Sequence, residues 1–524
     1  MAITPGRRDK SAVPEAGRKS RPTDASKEQR GGNALAVEKR SIQLELFATT
    51  AEAKPETAKA RGGGAPSKGV PKPKAPKVAN TTFLYGPAEM ERVCAGLNAS
   101  LEKVAANQGA PGPNRQSVKE VKANWGQIQP TLVQLLLKGE YHPGDIRRVW
   151  IPKAGGGERG LGIPDVIDRV VQEAIRQVIE PRYEPKFHEN SHGFRPHRSC
   201  HSAIAQATEF LKAGFDLVVD IDLKDFFNRV HHQRLLATLE RELQDARVLK
   251  LIGRMLKAKV VMPDGVRIEN EQGVPQGGPL SPLLSNIVLD ELDRELVRRG
   301  LRFVRYADDC NIYVRSRRAG ERVMASITRF IEKRLRLEVN AAKSAVAKPK
   351  ERHFLGFSLN RNENGEVEIN LSERSKVRLR ERVKELSPRN WGDTMKSAIA
   401  GLNAYLKGWT GFFGICTDGV ERFLNGTDAH IRRRLRAMKL KQWKWRLTIL
   451  RRLVKLGAKK QSAGHQLYDD RKGIWKLSHT TVVNRTLNNA YWQAQGLLAS
   501  ASLWKECKLR ETFSAPKQMN LCLS

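Results

Sequence analysis

Two adjacent carboxylates at the tip of a predicted β-hairpin constrain this chain more than any other feature. β-branched and aromatic residues of the segment 303–314 flank Asp308 and Asp309. Such flanks suit two short strands, and Asp tolerates the geometry of the tight turn between them. Because bare carboxylates are costly to desolvate, acids on a buried hairpin need a counter-charge. The sequence therefore predicts a pair of Mg²⁺ ions at this tip, with Mn²⁺ as an alternative ion.

A further acid ends an earlier apolar strand, predicted over residues 215–222 and closed by Asp222. An Asp at a strand end beside an Asp-Asp hairpin suits two-metal nucleotidyl transfer, in which the ions lie roughly 3.5–4 Å apart. Mg²⁺ prefers a few carboxylates plus substrate phosphates to a cage made only of protein ligands. The alternative, a solvated acid at a strand end, stays open for Asp222 taken alone.

The overall charge indicates a polyanionic partner. The 524 residues carry a net charge of +37, and the isoelectric point is near 10.2. A field of this sign and size binds nucleic acid and weakens as salt is added. A ribosome-like or membrane-surface protein could share the charge, but neither class explains the buried acids. This length predicts two to four domains.

The cysteines and the apolar runs predict a cytoplasmic protein without a membrane anchor. None of the six cysteines forms a CxxC pair, so zinc knuckles and zinc-supported nuclease modules are not expected. Scattered cysteines suit a reducing compartment. No run approaches about 20 consecutive apolar residues. The N-terminus also lacks the apolar core of a signal peptide.

Residues 1–80 are rich in Ala, Pro, Gly, Ser, Lys and Arg, which predicts a disordered basic extension.

Between residues 147 and 164 two β-prone runs flank a glycine turn, and Lys153 and Arg159 lie beside its tip. An apolar run over 354–359 predicts another short strand.

A long basic segment follows in the predicted helical part beyond residue 370. Eleven Lys or Arg and no acid lie between residues 431 and 455, with Trp443 and Trp445 among them. A charge run is usually a solvated face, but aromatic interleaving favours contact with a nucleic-acid backbone. The residues predicted to bind RNA are Arg432, Arg433, Arg434, Arg436, Lys441 and Lys444.

Four motifs in the correct order along the chain, followed by one segment downstream of them, resemble those of reverse transcriptases, and specifically of the reverse transcriptase–maturases encoded by bacterial group II introns. The catalytic hairpin, the first acidic motif and the nucleotide-pocket loop are matched by residues 306–309, 222–227 and 273–282. The template-side motif and the maturase-specific segment are matched by residues 191–196 and 402–413. The likeness covers about residues 85 to 510.

This resemblance implies an α+β right-hand polymerase. Fingers and palm would occupy residues 81–360, a helical thumb or maturase domain 361–460, and a small basic region that binds DNA or RNA 461–524. The zinc-supported endonuclease with which many family members end is not expected, so any mobility would use a nick or single strand made by something else.

The resemblance also implies roles around the carboxylates. Asp222 and Asp308 would be direct metal ligands, and Asp309 a weaker or indirect one. Leu223 would offer its backbone carbonyl to the metal at the leaving group. Phe227 would be the steric gate that excludes a 2′-hydroxyl, although a core Phe is the alternative.

Other residues would bind the substrates. Lys153 and Arg159 would hold the triphosphate, as preorganised cations can, unless they belong to an unliganded exposed turn. Gln276 would touch the incoming nucleotide. Arg195 would hold the template backbone, and Lys343 would approach the primer, with a plain surface lysine as the alternative.

The implied activity is RNA-directed DNA polymerisation coupled to intron splicing and retromobility. The implied partners are group II intron RNA, target DNA and dNTPs, and a homodimer is left open. Three rivals remain: a domesticated relative in defence or repair, a splicing factor without polymerase activity, and an RNA-templated RNA polymerase. Phe227, as a gate that would exclude ribonucleotides, argues against an RNA-templated RNA polymerase.

Overall fold

The computed structural model describes residues 90–152, 157–388, 394–417, 419–468 and 473–514. The predicted extension 1–80 and Lys153 lie outside the described residues. The strands are β1 (Ile146–Pro152), β2 (Glu158–Ile163), β3 (Leu217–Ile221), β4 (Val260–Val261), β5 (Arg267–Ile268), β6 (Arg302–Tyr306), β7 (Asp309–Val314), β8 (Ala345–Ala347), β9 (Phe357–Arg361) and β10 (Val367–Leu371).

The helices of the N-terminal half are α1 (Met90–Ala95), α2 (Leu97–Ala106), α3 (Val118–Ala123), α4 (Trp125–Lys138), α5 (Val166–Tyr183), α6 (Cys200–Lys212), α7 (Phe226–Arg229), α8 (His232–Glu240), α9 (Ala246–Leu256), α10 (Ser281–Arg298) and α11 (Arg317–Phe330). Those of the C-terminal half are α12 (Glu373–Glu385), α13 (Met395–Phe413), α14 (Val420–Trp443), α15 (Arg446–Lys455), α16 (Lys460–Leu467), α17 (Ile474–Leu477), α18 (Thr481–Thr486), α19 (Asn489–Ala494) and α20 (Ser500–Ser514).

The fingers contain a four-stranded sheet of order β2-β1-β4-β5. The predicted hairpin is present in it, because β1 and β2 pair antiparallel from Arg147–Ile163 to Pro152–Glu158. The hairpin is tied to the loop after β5 by a 2.7 Å hydrogen bond from the Gly162 amide to the Gln276 carbonyl.

The palm is a second four-stranded sheet, of order β6-β7-β3-β8. Alternate residues of a strand point to opposite faces, and here both faces are covered. Val219 and Ile312 belong to the core formed with the helices of the N-terminal half. Val218 and Tyr313 belong to a second core, shared with α6 and the C-terminal helices. The palm sheet therefore joins the two cores.

The C-terminal half is helical, as predicted, and its aromatic residues pack inward. Trp409 and Phe413 of α13 are buried, with ring centroids 4.6 Å apart. Trp492 and Trp504 belong to the same core. Within the described part, we propose that the regions predicted as 361–460 and 461–524 form one helical unit.

One predicted strand begins later than expected. The apolar run 354–359 predicts a strand from Phe354, but Leu355 and Gly356 have φ of 53° and 94°. These left-handed conformations make a turn, so β9 starts at Phe357. Elsewhere among the described residues, no helix is both long enough and apolar enough to cross a membrane.

Candidate active site on the palm sheet

Strand register brings the predicted carboxylates together. The antiparallel pairing of β3 and β7 ends with Asp220 opposite Asn311 and Ile221 opposite Cys310. One step further along the same register, Asp222 comes opposite Asp309. Directly opposed residues of such a pair have Cβ atoms about 4.5–5.5 Å apart. Asp308 is adjacent in the turn, so all three acids meet at one end of the palm sheet.

The acid within β3 and the two acids that flank this strand have different partners. Asp216 pairs with Arg361 at 3.2 Å, and Asp220 accepts a 2.8 Å hydrogen bond from Arg352. Among the described residues, the Asp222 carboxylate has one charged partner, the Lys343 ammonium at 3.7 Å, and that lysine is largely exposed. A loose pair of this kind leaves the Asp222 carboxylate available for a ligand.

The carboxylates are crowded enough to resist ionisation. Desolvation raises the pKa of Asp309 to about 7, and repulsion from Asp308, Asp220 and Asp222 adds to the shift. Desolvation also raises the pKa of Asp308. Asp309 is nevertheless solvent-exposed as a residue, so an ion can reach it. Such a site favours a bound cation.

A two-residue turn presents Asp308. Tyr306 pairs with Asp309 across the hairpin, and Ala307 between them has a positive φ of 56°. The backbone of Gly193 packs directly on this turn, because a Cβ there would stand 2.2 Å from the Ala307 nitrogen. Only glycine permits that approach, which gives the template-side motif a structural role beside the catalytic hairpin.

Arg305, which was not among the predicted site residues, stabilises the turn from its buried side. Its fully buried guanidinium binds both carboxylate oxygens of Asp293 on α10, at 2.7 and 2.5 Å. It also donates to the Ala307 carbonyl at 2.9 Å and the Ser191 hydroxyl at 2.7 Å. Asn286 accepts from the same guanidinium at 3.0 Å and donates to the Gly193 carbonyl at 2.8 Å. We call these four side chains (Ser191, Asn286, Asp293, Arg305) the turn clamp.

Leu223 lies where a backbone ligand could be offered. It forms an isolated antiparallel bridge with Val339, and the two flanking hydrogen bonds use the Asp222 carbonyl and the Lys224 amide. The Leu223 carbonyl is not one of the atoms used in this pairing. Its position one residue after Asp222 suits the predicted role.

The predicted nucleotide-side residues lie on α7, on the loop after β5 and on the fingers hairpin. Phe227 is half-buried against Phe226 at a ring distance of 5.2 Å, and its carbonyl accepts from the Val274 amide at 2.6 Å. Phe226 belongs to the core. Gln276 is half-buried in the loop bonded to the fingers. The exposed Arg159 lies within electrostatic reach of Asp308, since its charge opposes the rise in the pKa of that acid.

The prediction that Arg195 holds the template backbone is wrong for the structure described. Its guanidinium donates to the Glu184 carboxylate at 2.9 Å and to the His188 and Ser191 carbonyls at 2.6 and 2.8 Å. The side chain is only 5% exposed. Because its donors are used internally, Arg195 shapes the template-side motif.

The predicted RNA-binding run divides between the two faces of α14. Arg434 is buried and donates to the Ser387 carbonyl and hydroxyl near the end of α12. Arg436 is buried and donates to Asn484. Both stabilise contacts between helices, so their prediction as RNA ligands is corrected.

The rest of that run is more accessible. Arg432 and Arg433 are half-buried, and Arg433 lies over the Trp475 ring at 4.2 Å. Lys441 and Lys444 are exposed. Trp443 is buried, whereas Trp445 is 76% exposed. Contact with RNA remains a proposal for the accessible residues only.

A palm sheet with three carboxylates at one end, faced by a fingers hairpin, defines a polymerase of the right-hand class. Two family models match the chain: "Reverse transcriptase (RNA-dependent DNA polymerase)" over residues 151–359 and "Group II intron, maturase-specific domain" over 376–454. Together they span more than half of the chain. The chain belongs to the reverse transcriptases that carry a group II intron maturase-specific domain, and the predicted α+β fold and family are confirmed.

Two curated proteins are similar to this chain in sequence. Protein YkfC of Escherichia coli (strain K12) is 41% identical over 203 residues, 38% of this chain and 52% of that protein. The group II intron-encoded protein LtrA of Lactococcus lactis subsp. cremoris is 39% identical over 182 residues, 33% of this chain and 29% of that protein. The matches span about half of the first relative and under a third of the second.

Among solved structures, telomerase from Candida albicans in complex with a fragment of telomeric RNA aligns with a TM-score of 0.35 and 13% identity. The alignment covers 60% of this chain and 63% of that one. The fold assignment rests on the sheet topology and the two family models.

Proposed function

We propose that this protein is an RNA-directed DNA polymerase whose active site is the palm end that holds Asp222, Asp308 and Asp309. The observation that carries the proposal is the β3–β7 register, which brings Asp222 opposite Asp309 and beside the turn. The reverse transcriptase family match over this same region supports it. A divalent metal ion is the cofactor that this class generally uses.

The donor set at the palm end fits two Mg²⁺ ions, with Mn²⁺ as an alternative. Mutually repelling carboxylates that raise each other's pKa need a cation. In the described ranges, no three acidic, His or Cys side chains are already closed around an ion-sized space, and substrate phosphates complete Mg²⁺ sites of this kind. Asp222, Asp308, Asp309 and the Leu223 carbonyl would be the ligands. When bound, such ions activate the primer 3′ oxygen and stabilise the leaving group.

The chain's own residues would position the nucleotide. Arg159, together with Lys153, would stabilise charge on the triphosphate from the fingers side. Gln276 would contact the nucleotide from a loop that is fixed to the fingers by its backbone. Lys343 stands beside Asp222, where we propose that it approaches the primer end.

The direct test is primer extension on an RNA template with purified protein, dNTPs and Mg²⁺. We expect extension that stops when the metal is chelated and resumes when it is restored. A protein that binds the primer–template but never extends it would favour the rival without polymerase activity.

Substitution of the proposed steric gate should change which sugar is accepted. We expect Phe227→Ala to raise ribonucleotide incorporation relative to deoxyribonucleotide incorporation by about tenfold or more, since a clash of roughly 1.4 kcal/mol is worth that factor. The measurement compares single-nucleotide incorporation of the two sugars. Phe226→Leu, in the core beside it, should leave the ratio unchanged. An unchanged ratio in Phe227→Ala would mean that the gate is misassigned.

We propose further that the protein binds group II intron RNA, assists its splicing and copies it into a DNA target during retromobility. A protein that binds the folded intron RNA but not the unfolded RNA stabilises the splicing-competent state by mass action. The maturase-specific match over residues 376–454 supports this, as do the exposed Lys441, Lys444 and Trp445 within it.

Crosslinking in the native cell followed by sequencing of the bound RNA tests this half of the proposal. One dominant excised intron is expected. Unrelated transcripts, or one RNA that is not an intron, would instead support a domesticated polymerase in defence or repair. Recovery of the intron by a protein inactive in extension would leave the splicing-only alternative.

A further inference from the structure

Helices α12 and α14 enclose a groove of about 390 Å³ on the C-terminal helical unit. Four of its lining residues can carry positive charge: Arg380, Lys384, Arg422 and His430. Among the described residues, no carboxylate lines it. The volume falls in the range of ligand pockets, roughly 300–1,000 Å³. We call this the α12–α14 groove.

The aromatic ring of Phe423, which lines the groove, contacts two cations of α12. The Arg380 guanidinium carbon lies 5.0 Å from the Phe423 ring centroid, and the Lys376 ammonium lies 6.0 Å from it. A guanidinium that stacks on an aromatic face keeps its N–H edge available for an oxygen ligand. Phe423 therefore sets the orientation of Arg380 before any ligand arrives.

Two described acids close to the groove in sequence are paired with other cations. Glu373 pairs with Lys376, and Glu421 pairs with Lys505, each at 2.7 Å. In the part of the chain that the structure describes, no carboxylate stands within ion-pair distance of Arg380, Lys384 or Arg422.

His430 lies in the same positive field. Burial lowers its pKa, and the charges of Arg434 and Lys384 lower it further. A concave site of one sign concentrates counter-ions, so the α12–α14 groove is suited to an anion.

The groove lies along a helix that starts near the catalytic cleft. Arg374, in the first turn of α12, is close enough to Asp309 for its charge to oppose the rise in the pKa of that acid. At 1.5 Å per residue, Arg380 is about 9 Å further along the helix axis and Lys384 about 15 Å. A polynucleotide that extends from the cleft along α12 would reach this groove.

We propose that the α12–α14 groove binds a backbone phosphate of a nucleic-acid strand, with Arg380, Lys384 and Arg422 as donors. The choice of a nucleic acid rests on the function proposed above. Backbone phosphate is the shared chemistry of two sources, the primer–template duplex and structured intron RNA. Its position along α12 favours the duplex.

Gly426 offers a test that spares the fold. A Cβ at Gly426 would meet nothing within 4 Å, and this glycine lines the groove in the interior of α14. Gly426→Glu adds a carboxylate there, and Gly426→Gln adds nearly the same bulk without charge. Both residues favour helix more than glycine does. Gly464→Glu on α16, where space is also open, controls for the change in net charge.

The measurement is fluorescence anisotropy of the full chain with a labelled RNA–DNA primer–template and with a transcript of a group II intron domain, over a KCl series. We expect Gly426→Glu to weaken primer–template binding at least tenfold and to reduce the salt slope by about 1, the value of one lost phosphate contact. Gly426→Gln should weaken it less, and Gly464→Glu should match wild type. Arg380→Gln should reproduce the loss of slope.

Loss on the primer–template alone would assign the groove to the duplex, and loss on the intron transcript alone would assign it to intron RNA. Unchanged binding of both probes by Gly426→Glu and Arg380→Gln would overturn the proposal. The readout is independent of catalysis. Failure of wild-type extension would count against the polymerase function without altering the binding result.

Discussion

Asp308→Asn is expected to reduce RNA-templated primer extension by at least about a thousandfold while leaving the fold intact. The side chain keeps its size, but the acid beside Asp309 and Asp222 loses the charge that would bind a metal ion. Metal-ion stabilisation of phosphoryl transfer is worth several kcal/mol, and each 1.36 kcal/mol is a factor of ten in rate. The measurement is the single-turnover rate of one nucleotide addition at saturating dNTP and Mg²⁺.

Asp216→Asn is the matched control for that measurement. Asp216 lies just before β3, but it is half exposed and paired with Arg361, so its loss should change the rate by less than about twofold, consistent with the small energies of surface ion pairs. Both variants should bind the primer–template like wild type. If Asp308→Asn extends within tenfold of wild type, the assignment of the catalytic acids is wrong.

Local sequence patterns were sufficient to predict the elements that carry the catalytic acids. An apolar run that ends in Asp222 and a β-prone segment around Asp308 and Asp309 are visible without tertiary information. The resemblance supplied their order along the palm. The opposition of Asp222 and Asp309 could not be read from the sequence, because it depends on the register of β3 and β7, which is set by long-range packing.

The turn clamp could not be predicted from the sequence either, because its four side chains come from three separate parts of the chain. Arg305 lies between Val304 and Tyr306, where a charge in a strand is ordinarily on an exposed edge, yet it is completely buried. Its partners come from α10 and from the segment before α6. One signal was present: Asp293 interrupts an apolar helical stripe between Leu289 and Leu296, and a buried acid needs a partner.

In the basic run of residues 431–455, composition alone predicted more RNA-binding residues than the structure leaves accessible. A count of charges cannot tell which face of a helix each residue occupies. Arg434 lies on α14 one turn after Ile431 and one turn before Met438, both of which belong to the core. It is therefore carried inward, where the carbonyls at the end of α12 accept its donors. Periodicity, applied to the charged residues as well as the apolar ones, would have separated this arginine from the exposed lysines.

Arg305→Met is expected to destabilise the protein by about 3–5 kcal/mol, the cost of leaving one partner of a buried ion pair uncompensated. The charge of Asp293 would remain in the interior with no counter-ion, since both of its oxygens bind Arg305. The measurement is the free energy of unfolding from urea denaturation, together with the extension rate. Arg298→Met on α10, the helix that carries Asp293, is the control. Arg298 pairs with Glu295 and is 71% exposed, so its change should leave the free energy of unfolding close to that of wild type.

The double variant Arg305→Met/Asp293→Leu separates stability from positioning. Apolar residues of similar volume often replace a buried pair at little or no cost in stability, so we expect the double variant to regain most of what Arg305→Met loses. Its extension rate should stay low, because the Ala307 carbonyl and the Ser191 hydroxyl still lack the donor that fixes the turn. A loss in kcat with little change in KM would show that the clamp positions Asp308. Recovery of both stability and rate would mean that Arg305 serves the fold alone.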